Sequence, residues 1–223
     1  MRPETDTLTA IISAMLIYCK EFCKVYATPL EVPSDINHKP SLDAQRQAVR
    51  FLLAEAFPQS TPTLKHFPSG APFLEGASNR WSISVTHCRH MVAIAICDSP
   101  RRIGIDVEAA SRGNQLRRVA PRFLTPAQST GWGVSDDLLL LAWSIKEAVY
   151  KAAGIQGLPL QEIPLPEPPL PKSSNLGNIM LDNVPYDLTI LPGTSGCGSI
   201  VLVQETNRMN THEKNDAAYM HIP

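Results

Sequence analysis

Apolar side chains recur at Leu138, Leu141, Ala142, Ile145, Val149 and Ala152. That spacing gathers them on one side of a helix over residues 136–153, with Gly154 placed to end it in a left-handed cap. A second helix is expected over 41–57, with Leu42, Val49, Leu52, Leu53 and Ala56 as its stripe and Ser41 as its N-cap. The pattern turns strand-like at "WSISVTH" (81–87), "MVAIAIC" (91–97) and "RIGIDVE" (102–108), and the short breaks between these runs predict an antiparallel meander. "YDLTILP" and "GSIVLVQET" read as a closing pair of strands, and residues 112–132 as partly helical. Turn residues punctuate "FPSGAPFLEG", and six prolines between 159 and 171 make that stretch a surface connection. The polar end, 207–223, reads as a disordered tail.

The apolar run "LTAIISAMLIYC" (8–19) reads as a buried or amphipathic helix. It is shorter than the ~20 residues of a membrane span. Glu4 and Asp6 before it, and the lack of a small-residue cleavage signal after it, argue against a secretory leader. Composition adds restraint rather than direction. With 43% hydrophobic and 18% charged residues and a formal charge of −1, the 223-residue chain is neither a disordered protein nor a coat for polyanions. The five cysteines are scattered with no CxxC pair, which disfavours a disulfide framework or structural zinc and points to a reducing, cytoplasmic setting. Cys19 and Cys23, one helical turn apart, read as core residues.

Chemistry concentrates in two stretches. Alternation along "GIDVE" (104–108) puts Ile103, Ile105 and Val107 on one face and Gly104, Asp106 and Glu108 on the other. Two carboxylates ~6.5–7 Å apart at Cα can converge on one hard cation such as magnesium, or form a solvated acidic face. In "WSIKEAVYK" (143–151), Glu147 lies opposite the core stripe beside Leu140, Trp143, Tyr150 and Lys151. A merely solvated face does not usually mix aromatic residues with charges. If this face is covered, Glu147 and Lys151 need polar counterparts, and a phosphate with a metal ion would supply them.

"GIDVE" followed by "WSIKEAVYKAAG" resembles the signature of the 4'-phosphopantetheinyl transferases. "SISVTHC" is similar to that family's N-[IL]-S-H-S strand end, "GAPF" to its G-K-P turn, and "DAQRQAVRFLL" to the arginine-bearing helix of the longer, surfactin-synthetase-activating type. Together the motifs cover residues 43–151. The resemblance implies an α+β fold of two similar halves related by a pseudo-twofold, here 1–98 and 99–206, with coenzyme A in the cleft between them. It also implies a reaction. A serine hydroxyl of an apo acyl, peptidyl or aryl carrier protein attacks the β-phosphate of coenzyme A, taking up phosphopantetheine and releasing 3',5'-ADP.

By that resemblance Asp106, Glu108 and Glu147 are the ligands of magnesium, with manganese as the alternative ion. Glu147 also helps deprotonate the serine, Lys146 and Lys151 face the pyrophosphate, Thr86 and His87 contact a coenzyme A phosphate, and Arg46 is aimed at the 3'-phosphate. Three positions depart from the family pattern. Ala71 stands where G-K-P has lysine, with Lys65 as a conceivable substitute; Gln128 in "FLTPAQ" stands where glutamate is common; Thr86 replaces serine. The first two leave room for a non-catalytic relative that binds coenzyme A or a carrier protein. A metal-dependent phosphohydrolase using Asp106 and Glu108 is the alternative from another class. Arg112, Arg117, Arg118 and Arg122 are either a solvated face or a docking patch for an acidic carrier. Neither nucleic acid nor membrane is expected as a partner. A zinc site at His87 and His90 lacks further soft ligands. The longer members of the family being single chains, a monomer is expected.

Overall fold

The computed structural model describes residues 14–20, 22–30, 40–78, 80–168, 175–194 and 196–206. Residues 8–13 of the N-terminal run, Pro169, Pro171 and the tail at 207–223 lie outside them. The elements run β1 (Met15–Lys20), β2 (Cys23–Pro29), α1 (Leu42–Ala56), β3 (Thr63–His66), β4 (Pro72–Glu75), β5 (Trp81–His87), β6 (Met91–Asp98), β7 (Ile103–Asp106), α2 (Gly113–Val119), α3 (Pro126–Trp132), α4 (Asp136–Ala153), β8 (Asn175–Leu181), β9 (Val184–Leu191) and β10 (Ile200–Glu205). Short 3-10 turns flank α2 and follow α4.

Two four-stranded antiparallel sheets organise the molecule, the first in the order β1-β2-β6-β5 and the second in the order β7-β10-β9-β8. Alternation along their central strands sets the layering. On β6, Val92, Ile94 and Ile96 pack with Val49, Leu52 and Leu53 of α1. Met91, Ala93, Ala95 and Cys97 turn the other way and meet Ile103, Ile105, Ile200 and Leu202 of the second sheet. Val201 and Val203 then point from β10 onto Ile145 and Val149 of α4. The order is helix, sheet, sheet, helix. Leu52, Ile94, Ile105 and Ile145 are wholly buried, each burial contributing about 1.5–3 kcal/mol.

Both long helices start as their sequences predict. The Ser41 hydroxyl accepts from the Ala44 N–H and the Ser135 hydroxyl from the Leu138 N–H, and Gly154 closes α4 at φ 64°. Gly104 explains how closely α4 lies on the second sheet, because a Cβ there would stand 1.9 Å from the Ala148 carbonyl oxygen.

Several expectations change. The strands at 81–87, 91–97 and 102–108 are not a meander: β5 pairs with β6, but β7 opens the second sheet and pairs with β10. Its outer edge faces β5, where the Ser84 hydroxyl accepts from the Ile105 N–H and the Thr86 hydroxyl from the Val107 N–H. Side-chain hydroxyls thus replace a backbone ladder between the sheets. Within the N-terminal run, Met15–Lys20 is an edge strand rather than a helix, with Met15 and Leu16 exposed. Cys19 is exposed, so only Cys23 of that pair is core. The turn residues around "FPSGAPF" join a further hairpin, β3–β4, tied by Phe67 packed on Phe73 with ring centroids 4.5 Å apart.

Candidate active site

β7 carries Asp106 to the junction of β5 and α4, and its carboxylate is buried. Oδ1 accepts from Lys151 Nζ at 2.8 Å and from the Thr86 hydroxyl at 3.2 Å. Lys151, in the last turn of α4, also donates to the Ile105 carbonyl at 2.9 Å. Oδ2 is buried and has no hydrogen-bond partner among the described residues. Such an orphaned carboxylate oxygen costs free energy unless a ligand or ion meets it.

Glu108 lies just past the strand. Its Oε1 accepts from Trp143 Nε1 at 2.9 Å and from Arg112, whose guanidinium lies 5.5 Å from the centre of the Trp143 ring. Phe123 packs edge-on against the same indole. Burial pushes the Glu108 carboxyl above the ordinary glutamate range against the opposing bond from Arg112, and the Asp106 charge adds to the rise. Glu147 is likewise raised, first by burial and then by Asp106, with Glu108 contributing and Lys151 opposing. Glu147 thus feels the charges of Asp106 and Glu108, and Glu108 that of Asp106.

His87 ends β5 beside them. Burial lowers its pKa and Lys151 lowers it further, while Asp106 opposes, so the imidazole is held toward its neutral form. It opens onto a cavity of about 740 Å³ between α1, β5 and the residues leading into β3, lined also by Arg46, Arg50 and His66. Two arginines in one cavity, with two imidazoles as further hydrogen-bonding groups, suit a polyanionic ligand. Arg46 stands on the exposed face of α1, within 3.5 Å of Asp43. A second cavity, about 780 Å³, runs from Ala71 and Phe73 past Arg101 and Arg102 to Lys151. The bond from Thr86 of the first sheet to Asp106 of the second places Asp106, and Lys151 with it, at the seam of the two sheets.

Two candidates are placed elsewhere. Lys146 does not face the site: it is fully buried and donates to the Leu160 and Ile163 carbonyls at 2.7 and 2.6 Å. One step along a helix turns a side chain by about 100°, which carries Lys146 away from Glu147 and into the chain that follows α4. Thr86 is buried with its hydroxyl committed to Asp106 and to the Val107 N–H, so it positions the acid rather than meeting a phosphate. The arginine patch is also smaller than expected. Arg112 holds Glu108, and Arg117 holds Asp136 and the Gly133 carbonyl, leaving Arg118 and Arg122 exposed and without an ion pair among the described residues. Lys65 is drawn to Glu75 at 3.7 Å. Gln128 completes a capping box with Thr125 at the start of α3 and donates to the Ile163 carbonyl.

Arg50, His66 and Ser84 are the site residues that motif reading missed. Arg50 was accessible, since it follows Arg46 by four positions on one helix face. His66 and Ser84 needed the packing of α1 on the sheet and of β5 on β7.

A hard divalent cation fits the donor chemistry through Asp106 Oδ2. The carboxylates do not form a ready-made cage, for among the described residues no three His, Cys, Asp or Glu side chains are grouped to hold an ion. Asp106 Oδ1 and Glu108 Oε1 are turned instead toward Lys151, Arg112 and Trp143.

This is an α+β protein whose site joins carboxylates, a lysine and a histidine at the seam of two sheets. Residues 102–177, which carry β7 and α4, match the family model of the 4'-phosphopantetheinyl transferase superfamily. The match points to phosphopantetheinyl transfer in general. No curated protein matches the chain significantly.

Proposed function

We propose that this protein is a magnesium-dependent transferase that moves 4'-phosphopantetheine from coenzyme A to a serine of an apo carrier protein. The observation that carries the proposal is the buried, unpartnered Asp106 Oδ2 beside Lys151, which lines one cavity while His87 lines the other. In this reading the halves 1–98 and 99–206 form a pseudo-twofold pair with the coenzyme between them. Arg46, with Arg50 and His66 beside it, takes the nucleotide phosphate in the cavity beside α1, and His87 hydrogen-bonds the diphosphate as a neutral imidazole.

Asp106, with Glu147 and Glu108 turning toward it, would hold the ion, which would screen charge on the transferring and leaving phosphoryl oxygens. Lys151 stands by with a fixed positive charge for the same oxygens. Glu147, its carboxyl raised by burial, accepts the proton of the attacking serine. Trp143 and Arg112 hold Glu108 in place, and Thr86 does the same for Asp106. The carrier is expected to be acidic and to meet Arg118 and Arg122 first. A cytoplasmic monomer completes the proposal.

The test incubates the protein with coenzyme A, magnesium and an apo carrier, and weighs the carrier. Gain of one phosphopantetheine group supports transfer. Release of product without modification of the carrier would indicate hydrolysis, and neither outcome would leave a binding protein. Asp106→Asn should lower the transfer rate by about 100-fold or more with the fold intact by circular dichroism. Unchanged turnover in that variant would remove the assignment.

A further inference from the structure

Cys88 follows His87 at the end of β5, and Cys197 sits in the loop before β10, where its backbone bridges to Ala109. Although the two residues are 109 positions apart in the chain, their sulfurs lie 3.3 Å apart. The contact crosses from the first sheet to the second, and both cysteines are free thiols. Cys88 is buried, whereas Cys197 is partly open to solvent and has the Thr194 hydroxyl 3.8 Å from its sulfur. We propose that Cys88 and Cys197 are an oxidant-reactive pair that closes to a reversible disulfide between the two halves of the molecule.

The other thiols lack this combination. Cys23 and Cys97 stand opposite each other across β2 and β6, but each is 1% exposed, so an oxidant has no route to them. Cys19 is exposed, yet the residue across from it is Lys24. Only at 88 and 197 does an accessible sulfur lie against a second one.

With hydrogen peroxide the step balances. The Cys197 thiolate attacks one peroxide oxygen, becoming a sulfenic acid as the other oxygen leaves as hydroxide and takes up the thiol proton to form water. Cys88 sulfur then attacks the sulfenic sulfur, the S–O bond breaks, and a second water departs with the Cys88 proton. Both sulfurs are oxidised and both peroxide oxygens are reduced. The bond from Cys88 lowers the Cys197 thiol to about 7, which supplies thiolate at neutral pH, while the same contact and burial raise Cys88. Closure needs the sulfurs to approach to about 2.05 Å, and Cys197 lies in a loop rather than a ladder. A dithiol reductant reverses it, as suits a transient bond in a reducing compartment.

The proposal does not depend on which reaction the neighbouring site carries. Exposing the purified chain to equimolar peroxide should remove the mass of two hydrogens. It should yield a linked peptide pair containing Cys88 and Cys197 and protect those two thiols from alkylation until dithiothreitol is added. Cys88→Ser should leave a sulfenic acid at Cys197 that dimedone captures, and Cys197→Ser should leave Cys88 unmodified. If peroxide adds oxygen at Cys19 or Cys197 while Cys88 stays alkylatable in the wild-type chain, or if the linked peptides arise only from dimers, the proposal is wrong. The wild-type measurement decides this even where a variant folds poorly.

Discussion

Two lysines five residues apart show how little residue type says about role. Lys151 Nζ meets Asp106 in the site, and Lys146 Nζ caps two carbonyls in the core. Lys151→Met should cut the transfer rate by about 100-fold and also lower the thermal midpoint, because it leaves the buried Asp106 carboxylate and the Ile105 carbonyl without their donor. Lys146→Met should spare the rate. It strands two buried acceptors, costs about 2–3 kcal/mol and lowers Tm by roughly 5–10 °C, while folded molecules keep their turnover. Scanning calorimetry beside the carrier-mass assay separates the two. Lys146 also sets a pH dependence, since burial lowers it from 10.5 to about 8. Between those values the unfolded chain still binds a proton that the folded chain has released. Stability therefore rises with pH across that window, and the gain is lost as pH falls through about 8. Urea midpoints of wild type minus Lys146→Met should show this slope; a flat difference would mean the carbonyls hold the ammonium at its ordinary value.

Among the elements, α4 and β7 carry the site, and Gly104 lets them touch. Gly104→Ala should either prevent folding or lower stability by about 3 kcal/mol or more, because its methyl group meets backbone rather than a side chain that can turn aside. Denaturant titration measures it. These two elements were legible because their information is local. A period of two placed Ile103, Ile105 and Val107 opposite Gly104 and Asp106, and a period near 3.6 with Gly154 at its end bounded the helix. What failed to show was non-local. Turn lengths suggested that β7 follows β6 in one sheet, but its partner β10 lies almost at the other end of the described chain. The direction of Lys146 depends on the carbonyls of Leu160 and Ile163, which the proline-rich stretch delivers only after it has folded back. An apolar run such as the one containing Met15–Lys20 does not distinguish strand from helix without a partner in view.

For the molecule as a whole, the arginines divide into those that build and those that face outward. Arg117 ties α2 to α4 through Asp136, and Arg112 secures Glu108. Arg118→Glu with Arg122→Glu should therefore weaken carrier encounter by about 10-fold at low salt, and the difference should shrink as salt is added. Stability should stay within about 0.5 kcal/mol of wild type. Saturation kinetics at two ionic strengths would check this, and an unchanged KM for the carrier would place docking elsewhere. The two sheets each have their own helix, yet the acid, the lysine and the histidine come from both. Their spacing is gauged at one point by atoms that are not there. Glycine is already the smallest choice at 104, so variation can only widen the gap between the strand's carboxylate and the helix's amine. The calibre of this centre tolerates error in one direction alone, and the hydrogen at that α-carbon is its measuring stick.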